Sequence, residues 1–237
     1  MSKLGIKLLL SGMSNCGKTN ALKTLDPAES FVVSVDGKLF PFAVPHSNFG
    51  GFTSINAFIN GEDIGGEHTD GIIDKINKFK EKTGSYPRNV VIDTVSRVFQ
   101  IIADNAGRAF KGFDVHSNIS KEIAEFNRFI EQDLVGNGMN VISTTHVTLN
   151  TETSVYEDAS SGAYKKSGGA ISVHDNVSFF FIKNKKYHVT HKAAGLPCRS
   201  LLSDEELPAT QLADDYSLND HIALLENKHG EALTFVL

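Results

Sequence analysis

The stretch Gly12-Met13-Ser14-Asn15-Cys16-Gly17-Lys18-Thr19 constrains this chain more than any other, because it fits G-x-x-x-x-G-K-[ST] and has the right neighbours. The apolar run Ile6 to Leu10 leads into it, and the helical stretch Asn20 to Leu25 leads out. Its glycines let the backbone turn tightly enough for successive N–H groups to point at one anion, and a helix beginning there adds its positive N-terminal end. In that arrangement Lys18 holds the β- and γ-phosphates and the Thr19 hydroxyl ligates Mg²⁺, with Gly12, Ser14, Asn15, Cys16, Gly17 and Asn20 around the anion. Cys16 sits at a free position of the loop, either as a tolerated small residue or as a reactive thiol near a helix N-terminus.

A loop of this kind needs a buried sheet to start from, and the chain supplies one. Short runs of Val, Ile, Leu and Phe recur at Ile6 to Leu10, Phe31 to Val35, Val90 to Ile92, Asn140 to Ser143 and Val177 to Ile182. Unbroken apolar runs separated by helical stretches predict an α/β fold, a mostly parallel central sheet flanked by helices. Ile119, Ile123, Phe126, Phe129 and Leu134 fall at three- and four-residue steps and predict a core-facing helix, and a second is expected from Asp70 to Thr83. An Asn184-Lys185 turn predicts an antiparallel hairpin at the C-terminal side of the sheet. The 237 residues, 41% apolar, are enough for one real core, expected over residues 1–195, with 196–237 as an acidic tail or small helical appendage. Phe40 to Gly66 reads as an irregular excursion, and Thr148 to Ser172, polar and rich in glycine and serine, as a long mobile loop. No apolar run approaches membrane-span length and no cleavage site follows the start, so the expected location is cytoplasmic. Cys16 and Cys198 lack metal or disulfide spacing, and a net charge of −5 leaves any nucleic-acid contact to a local basic patch.

Further residues carry chemistry. Asp93 ends the run Asn89-Val90-Val91-Ile92, where a carboxylate at the end of a buried strand beside the phosphate loop holds Mg²⁺, partly through water; otherwise it caps the next helix. Asp36 ends the strand after the first helix and is either an acid facing the site or the first residue of an Asp36-Gly37 turn. His146 follows Ser143, Thr144 and Thr145 at the end of a strand, where a lone histidine is either a site candidate or a satisfied structural group. Within the loop, Tyr164, Lys165 and Lys166 lie between Gly162 and Gly168-Gly169, two cations and a ring on a hinge, which suits single strands or is plain surface. Lys183 and Lys185 sit in Lys183-Asn184-Lys185, a charged hairpin turn or a pair of presented cations.

Taken in order from Lys3 to Lys192, these features resemble the RecA-like P-loop ATPase core, and in particular the compact phage ATPases associated with single-strand annealing and recombination. The resemblance implies ATP and Mg²⁺ as ligands, with Asp36 orienting the attacking water and His146 feeling the γ-phosphate. It further implies Tyr164, Lys165 and Lys166 on single-stranded DNA, and Lys183 and Lys185 reaching the ATP of a neighbouring subunit in a homo-oligomer. It adds a single-strand-binding or annealing protein as partner, no membrane, and the host cytoplasm if the chain is phage-encoded. Two other classes share the loop. A nucleotide or small-molecule kinase usually carries a lid of several arginines, whereas Thr148 to Ser172 has none. An ATP-dependent partner-binding switch without direct DNA contact would suit the acidic tail.

Overall fold

Aliphatic runs without polar interruption form strands that must be covered on both faces. The structure, a computed structural model, describes residues 4–158 and 169–233. In chain order its elements are β1 (Lys7–Gly12), α1 (Lys18–Ala21), β2 (Ser30–Ser34), β3 (His46–Asn48), α2 (Ile55–Asn60), β4 (Glu62–Ile64), β5 (Glu67–Thr69), α3 (Ile72–Thr83), β6 (Asn89–Asp93), α4 (Val95–Ala109), α5 (Phe113–Arg128), β7 (Asn140–Asn150), β8 (Val155–Asp158), α6 (Gly169–Val173), β9 (Asn176–Lys183), β10 (Lys186–Thr190), β11 (Thr210–Leu212) and α7 (Leu218–Leu233). The central sheet has the order β11-β10-β9-β1-β7-β6-β2-β3. From β9 to β3 every neighbouring pair is parallel. At one edge β10 and β11 add antiparallel, and β8 folds back antiparallel on the far end of β7. The molecule is therefore α/β, with a mixed but mostly parallel sheet flanked by helices.

Strand residues divide by parity. Leu9, Val33, Val90, Ile92, Val141 and Val177 join one core with Ile55, Ile72, Val98 and Phe126 from α2, α3, α4 and α5. Leu8, Leu10, Val32, Val91, Ile142 and Phe180 join the other, with Ala21 of α1 and Leu218, Ile222 and Leu225 of α7. Each such side chain, fully withdrawn from water, contributes about 1.5–3 kcal/mol. Val95, Val98, Phe99, Ile102 and Ala106 are buried along α4 at helical spacing, and α5 continues as a wider turn through Leu134, so the apolar stripe from Ile119 onward is core-facing as expected.

Three expectations need correction. The stretch from Thr148 onward is regular at first: β7 runs through Asn150 and pairs with β8. Cross-strand hydrogen bonds order it although it has little aliphatic content. Residues 196–233 are no separate tail, since β11 pairs with β10 and Leu218, Ile222 and Leu225 are buried in the core shared with Leu8, Leu10 and Leu22. At the sheet's other end Glu226 of α7 accepts from Asn140 Nδ2 at 2.7 Å and from Arg88 Nε at 2.9 Å. Finally, α1 spans only Lys18–Ala21 before a 3₁₀ turn, too short for a sizeable dipole. The Asn184-Lys185 turn forms as expected, both residues with positive φ (52° and 61°), the geometry that matches strand twist in a two-residue hairpin. Among the described residues no helix is long and apolar enough to cross a membrane.

Three histidines hold the C-terminal half together in their neutral form. His174 Nε2 lies 3.0 Å from Ser143 Oγ, His191 Nδ1 2.8 Å from Ser178 Oγ, and His221 Nδ1 2.8 Å from the Tyr216 hydroxyl. Burial lowers His174 and His191 to about 4 and His221 to about 3. Unfolded histidine titrates near 6.5, so below that pH the unfolded chain takes up protons that the native chain refuses, and native stability falls until the folded pKa is reached. We expect urea unfolding to show stability constant above about pH 7 and falling between about pH 6.5 and 4, by up to about 1.4 kcal/mol per pH unit for each histidine. His221→Gln should remove about one histidine's share of that slope; a flat profile down to pH 5 would contradict the assignment.

Candidate functional site

The phosphate-loop residues occupy the crossing from β1 to α1. Gly12 is backed so closely by the next strand that a Cβ there would lie 2.4 Å from the Phe180 carbonyl oxygen and 2.7 Å from Cys16 Sγ, which excludes any side chain. Gly17 caps α1 with φ 101°, a left-handed conformation that glycine adopts at no steric cost. Asn15, at φ 59°, makes the remaining reversal. Cys16 is buried and its thiol donates to the Met13 carbonyl at 2.8 Å, so it staples the loop from within.

Lys18 is almost entirely covered, and its ammonium donates to the carbonyls of Gly12 (2.8 Å) and Met13 (2.7 Å). Burial lowers its pKa, opposed by the nearby Cys16 and Asp93. It also stands 3.4 Å from His146 Nδ1, which lies 3.4 Å from Ser14 Oγ as well. An ammonium only donates, so Nδ1 is the accepting nitrogen and the ring proton sits on Nε2. Burial above all, then the charge of Lys18, lowers His146 to about 4, so the ring is neutral at ordinary pH.

Strand register brings these groups together. His146 pairs with Gly12 across β1 and β7, and Ile92 pairs with Ser143 across β6 and β7. Asp93 is thereby delivered beside Thr144, whose hydroxyl donates to Asp93 Oδ1 at 2.5 Å. The other carboxylate oxygen, Oδ2, is buried without a hydrogen-bond partner among the described residues, and burial raises the acid's pKa. Thr94, N-cap of α4, binds the Thr144 carbonyl at 2.9 Å instead of capping with its side chain, and the Asp93–Thr94 peptide is cis. Asp93 therefore holds no helix cap.

These residues share one cavity of about 770 Å³. Ser14, Asn15, Cys16, Gly17, Lys18, Thr19, Asn20, Asp93 and His146 line it, joined by Lys38, Leu39, Pro41, Tyr187, Ala213 and Asp214. A hard divalent cation prefers oxygen ligands, and the unpartnered Asp93 Oδ2 together with the Thr19 hydroxyl fits that requirement. Asp36 does not end β2, which stops at Ser34, and does not line the cavity; it is ion-paired to Lys38 Nζ at 2.5 Å across the Asp36-Gly37 turn, with Gly37 at φ 65°. Lys183 and Lys185 are exposed at the β9–β10 tip and do not line this cavity. Tyr164, Lys165 and Lys166 lie outside the described residues.

Sequence reasoning missed Lys38, Tyr187 and Asp214. Lys38 had a signal, two residues past a strand-ending acid and one past a glycine. Tyr187 reaches the loop because β10 returns alongside β9, which brings its ring 3.8 Å from where a Gly17 Cβ would sit. Asp214 follows a three-residue strand that no local pattern marks. A second cluster, His68, Asp70 and Asp74, is satisfied internally: His68 bridges Asp63 and Asp74, and Lys75 and Lys78 both bind Asp70. In comparisons with known proteins no family model matches the chain, and no curated protein matches it.

Proposed function

We propose that this chain is a Mg²⁺-dependent ATPase of the RecA-like kind, acting on single-stranded DNA in phage-type recombination or annealing as an oligomer. The observation that carries the reading is the meeting of Lys18, Thr19 and Asp93 in one cavity, with Asp93 Oδ2 buried and accepting no hydrogen bond among the described residues. Lys18 exchanges the Gly12 and Met13 carbonyls for β- and γ-phosphate oxygens, a short movement to a stronger, charge-assisted acceptor. Thr19 and Asp93 would hold Mg²⁺, which supplies neutralisation of phosphate charge when bound. Asp36 or Asp93 orients the attacking water, whose oxygen bonds to the γ-phosphorus as the bond to the bridging oxygen breaks; ADP and phosphate leave, and the water's proton goes to solvent.

Topology supports the RecA-like reading in one respect. β7, carrying Thr144 and His146, lies between the strand of the phosphate loop and the strand of Asp93, so a polar strand end faces the terminal phosphate. Neutral His146, tied to Lys18 and Ser14, is suited to report whether that phosphate is there. Lys183 and Lys185, exposed and outside their own cavity, suit cations supplied to a neighbouring copy. Tyr164, Lys165 and Lys166 remain the proposed DNA contacts.

Calorimetry should give heat on titration of Mg-ATP, and Lys18→Ala should abolish hydrolysis while circular dichroism stays unchanged; an unaltered turnover rate would refute the phosphate-loop assignment. Thr144→Val, which leaves the fold's apolar volume intact but frees Asp93 Oδ1, should cost about 10- to 100-fold in activity. For the DNA and assembly part, turnover measured across protein concentration should rise with single-stranded DNA and show a concentration threshold. A rate indifferent to DNA and strictly proportional to protein would sink that part alone.

A further inference from the structure

After β2 the chain turns back at Gly37 and presents Lys38 to the cavity that also holds Lys18, Asp93 and His146. The Lys38 ammonium rests on Asp36 Oδ2 at 2.5 Å. The two partners are unequal: the Asp36 side chain is 16% exposed and that of Lys38 50%. The acid is thus the fixed member of the pair, and the lysine, on a flexible four-carbon stem, is the one free to move. Three groups of the site lie within reach of its charge. Behind the dominant effect of burial, Lys38 helps to lower Lys18 and His146 and opposes the rise of Asp93.

We infer that Lys38 is a second phosphate-binding cation of this site, supplied by the same chain, which leaves Asp36 for the terminal phosphate of a bound nucleoside triphosphate. The inference rests on the reading of the cavity as a triphosphate site and adds a residue that no phosphate-loop motif contains. The exchange is favourable because a terminal phosphate carries more charge than one carboxylate and offers three acceptor oxygens. It has a consequence for Asp36. Its Oδ2 is occupied by Lys38 until the triphosphate takes the lysine away, so that oxygen becomes available to water only when the γ-phosphate is in place. A diphosphate, lacking that group, leaves the pair closed.

The test compares affinities at a protein concentration where sedimentation shows a monomer, so that no neighbour can contribute a cation. A non-hydrolysable ATP analogue and ADP are titrated, with Mg²⁺ and again in EDTA, against the natural chain, Lys38→Ala, Lys38→Arg and Lys18→Ala. Lys38→Ala should weaken the triphosphate by about tenfold or more while ADP stays within about twofold, and Lys38→Arg should restore most of the loss. Equal weakening of both ligands, or none of either, would overturn the role of Lys38 while leaving the phosphate loop standing. Natural chain that binds neither ligand, or Lys18→Ala that binds both unimpaired, would overturn the triphosphate reading and this inference with it.

Discussion

Parallel pairing of β1 with β7 is the constraint on which the site depends. It sets Gly12 opposite His146, and the next pairing sets Ile92 opposite Ser143, so the loop, the histidine and the acid arrive at one edge of the sheet. Parity does the rest. Val91 and Ile142 belong to the same core as Leu8 and Leu10, and Asp93, Thr144 and His146 follow them at steps of two along their strands. A register slip of one residue would bury the polar set's neighbours on the wrong face and carry Thr144 away from Asp93. The aliphatic residues of β1, β6 and β7, several with no solvent exposure, therefore position the polar residues beyond them.

Burial at that edge has an electrostatic cost. Withdrawing a single ion from water costs several kcal/mol unless partners answer it, and here an ammonium and a carboxylate are both withdrawn. Their pKa values move in opposite directions, Lys18 down and Asp93 up, each through burial first and each moderated by the other's charge. Lys18 is compensated by backbone carbonyls and Asp93 by one threonine hydroxyl, which leaves Oδ2 as a buried acceptor without a hydrogen bond. A protein rarely leaves such an atom in its interior without a use for it.

What could be read beforehand follows from how local each signal is. The phosphate loop was legible because its glycines, lysine and threonine act within one turn of chain. The parallel strands were legible because sandwiching between two helical layers demands continuous apolar runs such as Val90 to Ile92. The hairpin of β7 and β8 was not: Leu149 and Val155 are exposed, so no apolar alternation marks it, and it is ordered by pairing across the turn and by Tyr156 packing on Phe179 of β9. Nor was the placement of residues 196–233, where Leu218, Ile222 and Leu225 are buried in a core shared with Leu8, Leu10 and Leu22, nearly the whole chain away. Lys38 had a local cue in Asp36-Gly37, but its direction toward the cavity depends on the fold of the segment after it.

The structure also separates two demands that the proposed activity makes. The groups proposed to grip a triphosphate all come from one chain: the loop, Thr19, Asp93, His146 and, by our inference, Lys38. Lys183 and Lys185, proposed for a neighbouring copy, lie at the β9–β10 tip, where β9 has continued past Phe180, the partner of Gly12, as β7 continues past His146. Strands that leave the sheet lose neighbours, and theirs are replaced by water: Leu149, Val155, Ile182 and Tyr187 are all about half exposed. Apolar side chains gathered on projecting arms favour being covered by something else, with lysines at the β9–β10 tip setting the sign of what approaches. Tyr187 belongs to both sets, on an arm and against Gly17, so whatever covers that arm would also press on the phosphate loop.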